Sequence, residues 1–418
     1  MQLLRNLTGI FSGEGFARRD GRRVRAQDAG FIPGPINITI NKQTGLIDAI
    51  GTGLSASGES LDGSGMIATP GFIDPHTHAI FAGERSGEYF MRWSGRSYLE
   101  ITDAGGGIHS TVRATAAASE DELSLRLHER LRHMLFCGAT TVEVKSGYAN
   151  SAEGELRLLR LIQEVARDPG MPEVRPSFLA LHALPAGRSE HAYVDEMIAA
   201  LPRVASERLA AQVDTFPEKG FFSREESLRF SIAAREHGLP CKVHADELSD
   251  LGSATAFARI GALSVDHLQC INDEAVHLLA KSPTVATMLP ATSFFVGLPY
   301  ANARRLLDAG ARVALATDFN PGTAPAMDLQ LTHVLAASQM KMTAAEILCA
   351  STFNAAASLG LERTHGVLAP GRVGNVLLFQ SNVKPDEGGA NVLQEIILAR
   401  RIPAQVLLRG TLVPPIQA

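Results

Sequence analysis

The chain has 418 residues, of which 45% are hydrophobic and 20% are charged, and its formal net charge at pH 7 is -5. This composition is typical of a globular protein with a large core, and it excludes extensive disorder. Because the net charge is negative and no dense stretch of lysine and arginine occurs, we expect no nucleic-acid partner.

The spacing of the cysteines and the lengths of the apolar segments indicate the cellular compartment of the protein. Four scattered cysteines show no C-x-x-C spacing, so neither a disulfide framework nor a zinc ribbon is expected. No apolar run approaches the roughly 18 residues of a transmembrane helix. Arg5 interrupts the N-terminal apolar residues, so no signal peptide is expected either. We therefore expect a cytoplasmic protein without a membrane partner.

The first 66 residues predict short β-strands. Residues 36–40 alternate between apolar and polar positions, residues 46–50 form a second apolar run, and residues 41–45 suit a hairpin turn between them. The charged segment 18–25 is expected to be a solvated turn or edge.

From residue 67 onward, apolar runs alternate with amphipathic segments, which indicates βα units around a parallel sheet. The eight apolar runs end near residues 78, 144, 182, 216, 244, 267, 288 and 318. Helical periodicity is seen in residues 120–136, 152–166, 223–237, 253–260 and 301–309. Eight such units predict an α/β fold of the (β/α)₈ TIM-barrel type rather than an open sheet.

The last part of the chain returns to short strands. Residues 325–361 are mostly helical in pattern, and Thr343 and Glu346 form a capping box. Strand-like runs follow at 374–379 and 406–413. We expect both chain ends to form a small β-sandwich domain, residues 1–66 and 362–418, around a barrel of residues 67–361.

Polar residues close several predicted barrel strands, where parallel barrels carry their functional groups. His76 and His78 lie two residues apart, which on a strand places both imidazoles on the same side. Together with His244 and Asp318 they form a reasonable ligand set for one divalent ion. Asp318 follows an apolar run, and its burial is costly unless a cation or hydrogen bonds compensate.

A metal at this position would lower the pKa of bound water towards ~7 and polarise a carbonyl, which is the chemistry of hydrolysis. Glu247, three residues after His244, is a candidate proton shuttle, and a carboxylate at a helix start is an equally good interpretation. His267 could ligate the metal or hydrogen-bond a developing oxyanion.

Several motifs resemble the amidohydrolase superfamily and, within it, the imidazolonepropionase family. The short ones are His76-Thr77-His78, residues 242–247 (KVHADE), Asp266-His267 and residues 316–318 (ATD). The long ones are residues 105–108 with 110–113, 143–148, 182–185 and 317–323. The resemblance covers residues 71–371. It implies hydrolysis of the ring C–N bond of 4-imidazolone-5-propanoate to N-formimidoyl-L-glutamate, a step of histidine degradation.

The resemblance also implies roles for individual residues. The ligands of one zinc or iron ion would be His76, His78, His244 and Asp318. Arg85 would bind the propionate of this small anionic substrate, because a guanidinium fork suits a carboxylate. The other substrate-binding residues would be Tyr148, His182, Asn320, Gly322 and Thr323. Protons would be handled by Glu247 and His267, with Asp318 as the alternative acceptor of the proton from water.

Plainer interpretations stay open for some of these residues. Arg85 could form a weak rim ion pair with Glu84 or Glu88, Tyr148 could be ordinary packing, and residues 320–322 are a turn by composition. Lys145 follows the second strand, whereas the carboxylated lysine of some amidohydrolases follows the fourth, so a single metal is expected.

The metal ligands alone do not specify the substrate. Another cyclic amidase or a deaminase on the same barrel is therefore an alternative, as is a non-catalytic metal-binding barrel. A homodimer is implied by the resemblance only.

Overall fold

The computed structural model describes residues 1–96, 100–101 and 105–414. Its strands in chain order are β1 (Gln2–Phe11), β2 (Phe31–Asn41), β3 (Leu46–Gly51), β4 (Glu59–Asp62), β5 (Met66–Pro70), β6 (Phe72–Asp74), β7 (Ala139–Lys145), β8 (Glu173–Leu181), β9 (Gln212–Thr215), β10 (Lys242–Ala245), β11 (Ser264–His267), β12 (Val285–Met288), β13 (Val313–Leu315), β14 (Val376–Gln380), β15 (Gln405–Leu408) and β16 (Thr411–Leu412).

The α-helices of the described residues are α1 (Glu14–Arg18), α2 (Ser86–Trp93), α3 (Ile108–Ala117), α4 (Glu120–Phe136), α5 (Ala152–Val165), α6 (Glu190–Ser206), α7 (Arg224–Glu236), α8 (Ser253–Arg259), α9 (Asp273–Leu279), α10 (Pro290–Val296), α11 (Ala303–Ala309), α12 (Leu329–Ser338), α13 (Ala344–Ala350), α14 (Phe353–Ala357) and α15 (Ala390–Leu398). Within the described residues, no helix is both long and apolar enough to cross a bilayer.

Serine caps begin four of the barrel helices. The side chains of Ser119, Ser151, Ser189 and Ser223 each accept a hydrogen bond from a backbone N–H three residues later, at the starts of α4 to α7. Such a cap satisfies a donor that the first helical turn leaves free. The predicted helices are confirmed to within two residues at each end, and the capping box that begins α13 is also confirmed.

Eight parallel strands form the barrel. Strands β6 to β9 form one four-stranded parallel sheet and β10 to β13 form a second. A parallel bridge between Val213 and Cys241 joins β9 to the start of β10, and a second bridge between Thr77 and Phe319 joins the segments that follow β6 and β13. Because both seams are bridged, the two sheets close on each other, and the predicted barrel is confirmed.

The two chain ends meet in one eight-stranded mixed sheet. Its strand order is β16-β15-β14-β5-β1-β2-β3, and β4 also pairs with β1. The predicted hairpin is confirmed as the antiparallel pair of β2 and β3. Buried aliphatic side chains of this sheet, among them Leu4, Leu7, Ile38 and Leu407, form a small core separate from the barrel core.

The sequence pattern predicts one strand in the apolar run 67–78, but the structure divides this run into two strands. Strand β5 pairs with β14 in the mixed sheet, whereas the first barrel strand begins at Phe72. Gly71 separates them, and a Cβ atom there would lie 2.1 Å from the Thr140 Oγ1 atom. His76 and His78 therefore lie in the segment after β6 rather than within a strand.

Two other sequence expectations are corrected. The run 406–413 is an antiparallel hairpin of β15 and β16 rather than one strand. The segment 18–25 is not simply solvated, because the Arg22 guanidinium donates hydrogen bonds to the backbone carbonyls of Ala280 at 2.9 Å and Gly310 at 2.8 Å. Arg22 thus links the N-terminal segment to two loops of the barrel.

Candidate active site

Three imidazole nitrogens and one carboxylate oxygen converge where the barrel strands end. The His244 Nε2 atom lies 3.1 Å from the His76 Nε2 atom and 3.4 Å from the His78 Nε2 atom. The Asp318 Oδ1 atom lies 3.5 Å from His76 Nε2 and 3.4 Å from His78 Nε2. All four residues are at most 3% exposed. The structure thus brings together the four residues that the sequence indicated as metal ligands.

These separations fit the ligand shell of a divalent ion. In a tetrahedral site with metal–nitrogen bonds of about 2.0–2.1 Å, neighbouring ligand atoms are about 3.3–3.4 Å apart. Imidazole nitrogens with a carboxylate are a donor set that zinc and iron both accept. The geometry therefore supports a divalent metal held by these side chains.

Two buried carboxylates orient the ligand imidazoles. The His76 Nδ1 atom lies 2.6 Å from the Asp266 Oδ2 atom, and the His244 Nδ1 atom lies 3.3 Å from the Asp214 Oδ1 atom. A carboxylate at Nδ1 keeps the ring proton there and leaves the Nε2 lone pair free for a metal. Both Nε2 atoms that face the site are consequently available as ligands.

A chain of buried charges connects these two carboxylates, and we call it the ionic chain. Lys145 contacts Asp214 and lies 2.7 Å from Glu143. Lys242 lies 2.9 Å from Glu143 and 3.3 Å from Asp266. All five side chains are 0% exposed. Two lysines thus pair with three carboxylates, which leaves one excess negative charge beside the imidazoles, and Lys145 is held between two of the carboxylates.

Left-handed backbone conformations occur at several of these strand ends. The φ angles are 82° at His267, 56° at Asp318 and 50° at Asp246. Such conformations are uncommon outside glycine and collect at functional sites, where surrounding structure enforces them. The Asp246 side chain accepts hydrogen bonds from backbone N–H groups at the start of α8, which fixes the turn that presents Glu247.

Burial and neighbouring charges give the titratable groups at the site widely different pKa values. It lowers the pKa of His78 and of His267 to about 4, so both rings are neutral at pH 7. Burial opposes ionisation of Asp318, but the hydrogen bond with His78 and the nearby His267 ring outweigh it and bring its pKa to about 2. Burial and the charge of Asp318 raise the pKa of Glu247 to about 8. Two carboxyl groups with such different pKa values can take different roles in acid–base chemistry.

A cavity of about 470 Å³ adjoins the ligands, and Tyr148, His182, Glu247 and His267 line it. The His182 ring stacks on His78 with ring centroids 4.9 Å apart. Its Nδ1 atom lies 3.0 Å from the Gly147 carbonyl oxygen, which leaves Nε2 for a ligand. The Tyr148 and His182 ring centroids are 5.2 Å apart.

The loop after β13 forms another wall of the cavity. The Asn320 Oδ1 atom accepts hydrogen bonds from the backbone N–H groups of Gly322 and Thr323, each at 2.8 Å. Asn320 and Thr323 line the cavity, so the segment is both a self-bonded turn and a wall. Gly322 contacts Arg85 instead, since a Cβ atom there would lie 2.1 Å from the Arg85 Nη1 atom.

Arg85 lines the cavity and is held by Glu88. The guanidinium donates from Nε to Glu88 Oε1 at 3.0 Å and from Nη2 to Glu88 Oε2 at 2.9 Å. The two side chains are only 9% and 10% exposed. The ion pair that the sequence suggested as a weak rim contact is therefore a buried bidentate pair, and Arg85 keeps one face towards Gly322.

Sequence reasoning assigned no role to several residues of this site. Asp214 lies in a short apolar strand, where a buried carboxylate is itself a signal. Thr292 donates a hydrogen bond to Asp318 Oδ2 at 2.5 Å, and no sequence motif marks it. Arg92 follows Glu88 by four residues, a helical spacing that could have revealed it.

The barrel fold and these candidate ligands at the strand ends fit a hydrolase of the amidohydrolase class, and the model of the amidohydrolase family matches residues 67–412. The chain is 43% identical over 324 residues to an imidazolonepropionase of Thermoanaerobacter pseudethanolicus, covering 77% of this chain and 78% of that protein. It is 38% identical over 384 residues to an imidazolonepropionase of Porphyromonas gingivalis, covering 90% of each. The chain therefore belongs to the imidazolonepropionase family of the amidohydrolases.

Solved structures with the same fold are more distant in sequence. An atrazine chlorohydrolase from Arthrobacter aurescens complexed with zinc superimposes with a TM-score of 0.74 at 20% identity, covering 100% of this chain and 97% of that one. An adenosine deaminase from Xanthomonas campestris with bound zinc gives a TM-score of 0.74 at 16% identity, covering 98% and 92%. At this identity the similarity shows the fold alone.

Proposed function

We propose that the chain hydrolyses the ring C–N bond of 4-imidazolone-5-propanoate to give N-formimidoyl-L-glutamate. The observation that carries this proposal is the convergence of three imidazole nitrogens and the Asp318 carboxylate beside a cavity of about 470 Å³ that is lined by arginine side chains. Membership of the imidazolonepropionase family supports the choice of substrate.

The ligands of one zinc or iron ion in this proposal are His76, His78, His244 and Asp318. When bound there, a divalent ion supplies Lewis-acid chemistry, in which water ionises more readily and a carbonyl is polarised. The residues of the ionic chain keep the ligand imidazoles in position. Measuring the metal content of the purified protein distinguishes zinc from iron.

Glu247 is the residue we propose for proton transfer. Both oxygens of Asp318 are engaged, Oδ1 towards the ligand imidazoles and Oδ2 by Thr292, whereas the Glu247 carboxylate accepts no hydrogen bond from the described residues. In this proposal Glu247 accepts the proton of the attacking water and returns it to the leaving ring nitrogen. Its pKa is raised to about 8 without a cation, and the positive charge of a bound ion would favour the ionised form that accepts the proton.

In this proposal His267 stabilises the carbonyl oxygen during attack. Its Nδ1 atom lies 3.6 Å from Glu247 Oε1, so the two groups border the same part of the cavity. Because its pKa is lowered to about 4, the ring is neutral and can donate a single N–H to a developing oxyanion.

Tyr148, His182 and the Asn320–Thr323 loop surround the remaining space, and in this proposal they hold the ring while Arg85 binds the propionate.

The four cysteines are free thiols, which supports a reducing cytoplasm. We also propose that the chain divides into a β-sandwich domain (residues 1–66 and 362–418) and a barrel (residues 67–361). A homodimer is a further part of the proposal, and light scattering of the purified chain tests it.

The test is to follow the loss of ring absorbance when metal-loaded protein is incubated with 4-imidazolone-5-propanoate. We expect turnover to formimidoylglutamate, loss of turnover on chelation, and a 10²- to 10⁴-fold lower kcat for Glu247→Gln with unchanged metal content. The exposed Glu274→Gln serves as the matched control. Ammonia as the released product would replace this proposal with a deaminase, and near-full turnover by Glu247→Gln would remove Glu247 from the mechanism.

A further inference from the structure

Helix α2 and the residue before it present three charged side chains on one face. Arg85, Glu88 and Arg92 are spaced by three and four residues, so they follow each other along the helix surface. Glu88 is the centre of this group, because its carboxylate binds Arg85 through two hydrogen bonds and also accepts one from the Gly107 backbone N–H at 3.0 Å. The Arg85–Glu88 pair is neutral as a unit.

Arg92 supplies the charge that this pair lacks. It is 14% exposed, it lines the same cavity, and its Nη2 atom lies 3.5 Å from Glu88 Oε2. Nη2 also donates a hydrogen bond to the Gly322 carbonyl oxygen at 2.6 Å. The Arg92 Nε and Nη1 atoms are buried and have no hydrogen-bond partner within the described residues. Buried guanidinium donors without partners are costly. Because these two atoms have less than 1 Å² of accessible surface each, an acceptor in the cavity would reach them only after a rotation of the Arg92 side chain.

We propose that Arg92 is a second carboxylate-binding residue and determines specificity for an anionic substrate. This inference rests on the proposed function. Arg85, Glu88 and Arg92 together carry one excess positive charge, which is the complement of one propionate group. With Arg85 alone, the Glu88 carboxylate would compete with the substrate for the same guanidinium, and the net attraction for an anion would be weak.

A purely structural role for Arg92 makes a different prediction. If its only task were to hold the loop at Gly322 through the carbonyl, its loss would weaken binding of every ligand equally. If it binds the carboxylate, its loss weakens only ligands that carry the charge. Lysine at this position keeps the charge without the planar fork, so Arg92→Lys should fall between the two.

The experiment measures KM and kcat of metal-loaded wild type, Arg92→Met and Arg92→Lys with 4-imidazolone-5-propanoate and with its neutral propanamide analogue. We expect Arg92→Met to raise KM for the acid at least tenfold, with kcat within about threefold, and to leave KM for the amide within about twofold. Arg113→Met is the matched control, since Arg113 also donates to a loop carbonyl, that of Gly105 at 2.9 Å. Equal KM changes for acid and amide, or no change for the acid, would overturn the inference.

A binding measurement separates this inference from the proposed function. Imidazole-4-propanoate keeps the ring and the carboxylate but has no carbonyl to be attacked, so calorimetry with it requires no turnover. Weaker binding to Arg92→Met than to wild type, in a protein that does not open the imidazolone ring, would refute the proposed function and keep the carboxylate site. Unchanged binding to Arg92→Met would refute the carboxylate site whatever the turnover.

Discussion

Replacing Lys242 with methionine removes one positive charge from the ionic chain and leaves two buried carboxylates short of a partner. Lys242 lies 2.9 Å from Glu143 and 3.3 Å from Asp266, and it also donates to the Pro75 carbonyl. Breaking a buried pair by removing one partner costs about 3–5 kcal/mol, because the remaining charge stays desolvated. We expect the free energy of unfolding of Lys242→Met to fall by about this amount.

The same change should also weaken metal affinity, because Lys242 is a partner of the carboxylate that orients His76. Asp266 accepts from His76 Nδ1 and is also the ion-pair partner of Lys242. Loss of a group that orients a ligand imidazole typically weakens metal affinity 10- to 100-fold. Metal affinity is measured by competition with a chromophoric chelator, and stability is measured by denaturant unfolding of the metal-free protein.

Two further variants make the prediction specific. Arg259→Met breaks an ion pair whose partners are 64% and 62% exposed, and it should cost less than about 1 kcal/mol without changing metal affinity. The double variant Lys242→Met with Asp266→Asn removes one stranded charge, so it should recover part of the stability while metal binding stays weak. If Lys242→Met unfolds at the same denaturant concentration as wild type and binds metal within twofold, the ionic chain does not have the role described.

Two predictions concern other contacts. Burial opposes ionisation of Glu173, but His365 and Arg409 outweigh it and lower its pKa to about 2, so the unfolded state binds more protons between pH 4.5 and 2. The free energy of unfolding should therefore fall as the pH drops through this window. Glu173→Gln should be on the order of 2–3 kcal/mol less stable at pH 7, and its stability should depend less on pH in denaturant titrations at acid pH. An unchanged pH dependence in this variant would contradict the prediction. Gly322→Ala should displace Arg85 and raise KM about tenfold with little change in Tm, and an unchanged KM would count against the contact.

The strand and helix pattern was readable because each barrel unit repeats the same local signal. The eight apolar runs correspond to β6 through β13, and residues 120–136 are helical as predicted. The errors fall where two units of the fold meet. Residues 67–78 form one apolar run because both β5 and β6 are buried, yet they belong to different sheets, and periodicity cannot separate two buried strands that are divided only by Gly71.

Candidate ligands could be found in the sequence because histidine and aspartate are conspicuous at the ends of apolar strands. The residues that orient them were harder to see. Asp214 and Lys145 belong to different strands, and nothing in their local sequence shows that they pair. A possible ion pair between Arg85 and Glu88 was predicted, but the contribution of this pair to stability depends on its burial, which the sequence does not give.

The sequence by itself determined the alternation of strands and helices, the ligand types at the strand ends and the family, because these depend on residue type and spacing along the chain. Only the tertiary structure decided how buried charges are matched. Closing the barrel places two lysines and three carboxylates of four strands in a chain in which each group lies within 3.3 Å of at least one opposite charge. It also places the loop that follows β13 against α2. Such contacts depend on which distant segments share a dry interior, where each charge must find a partner.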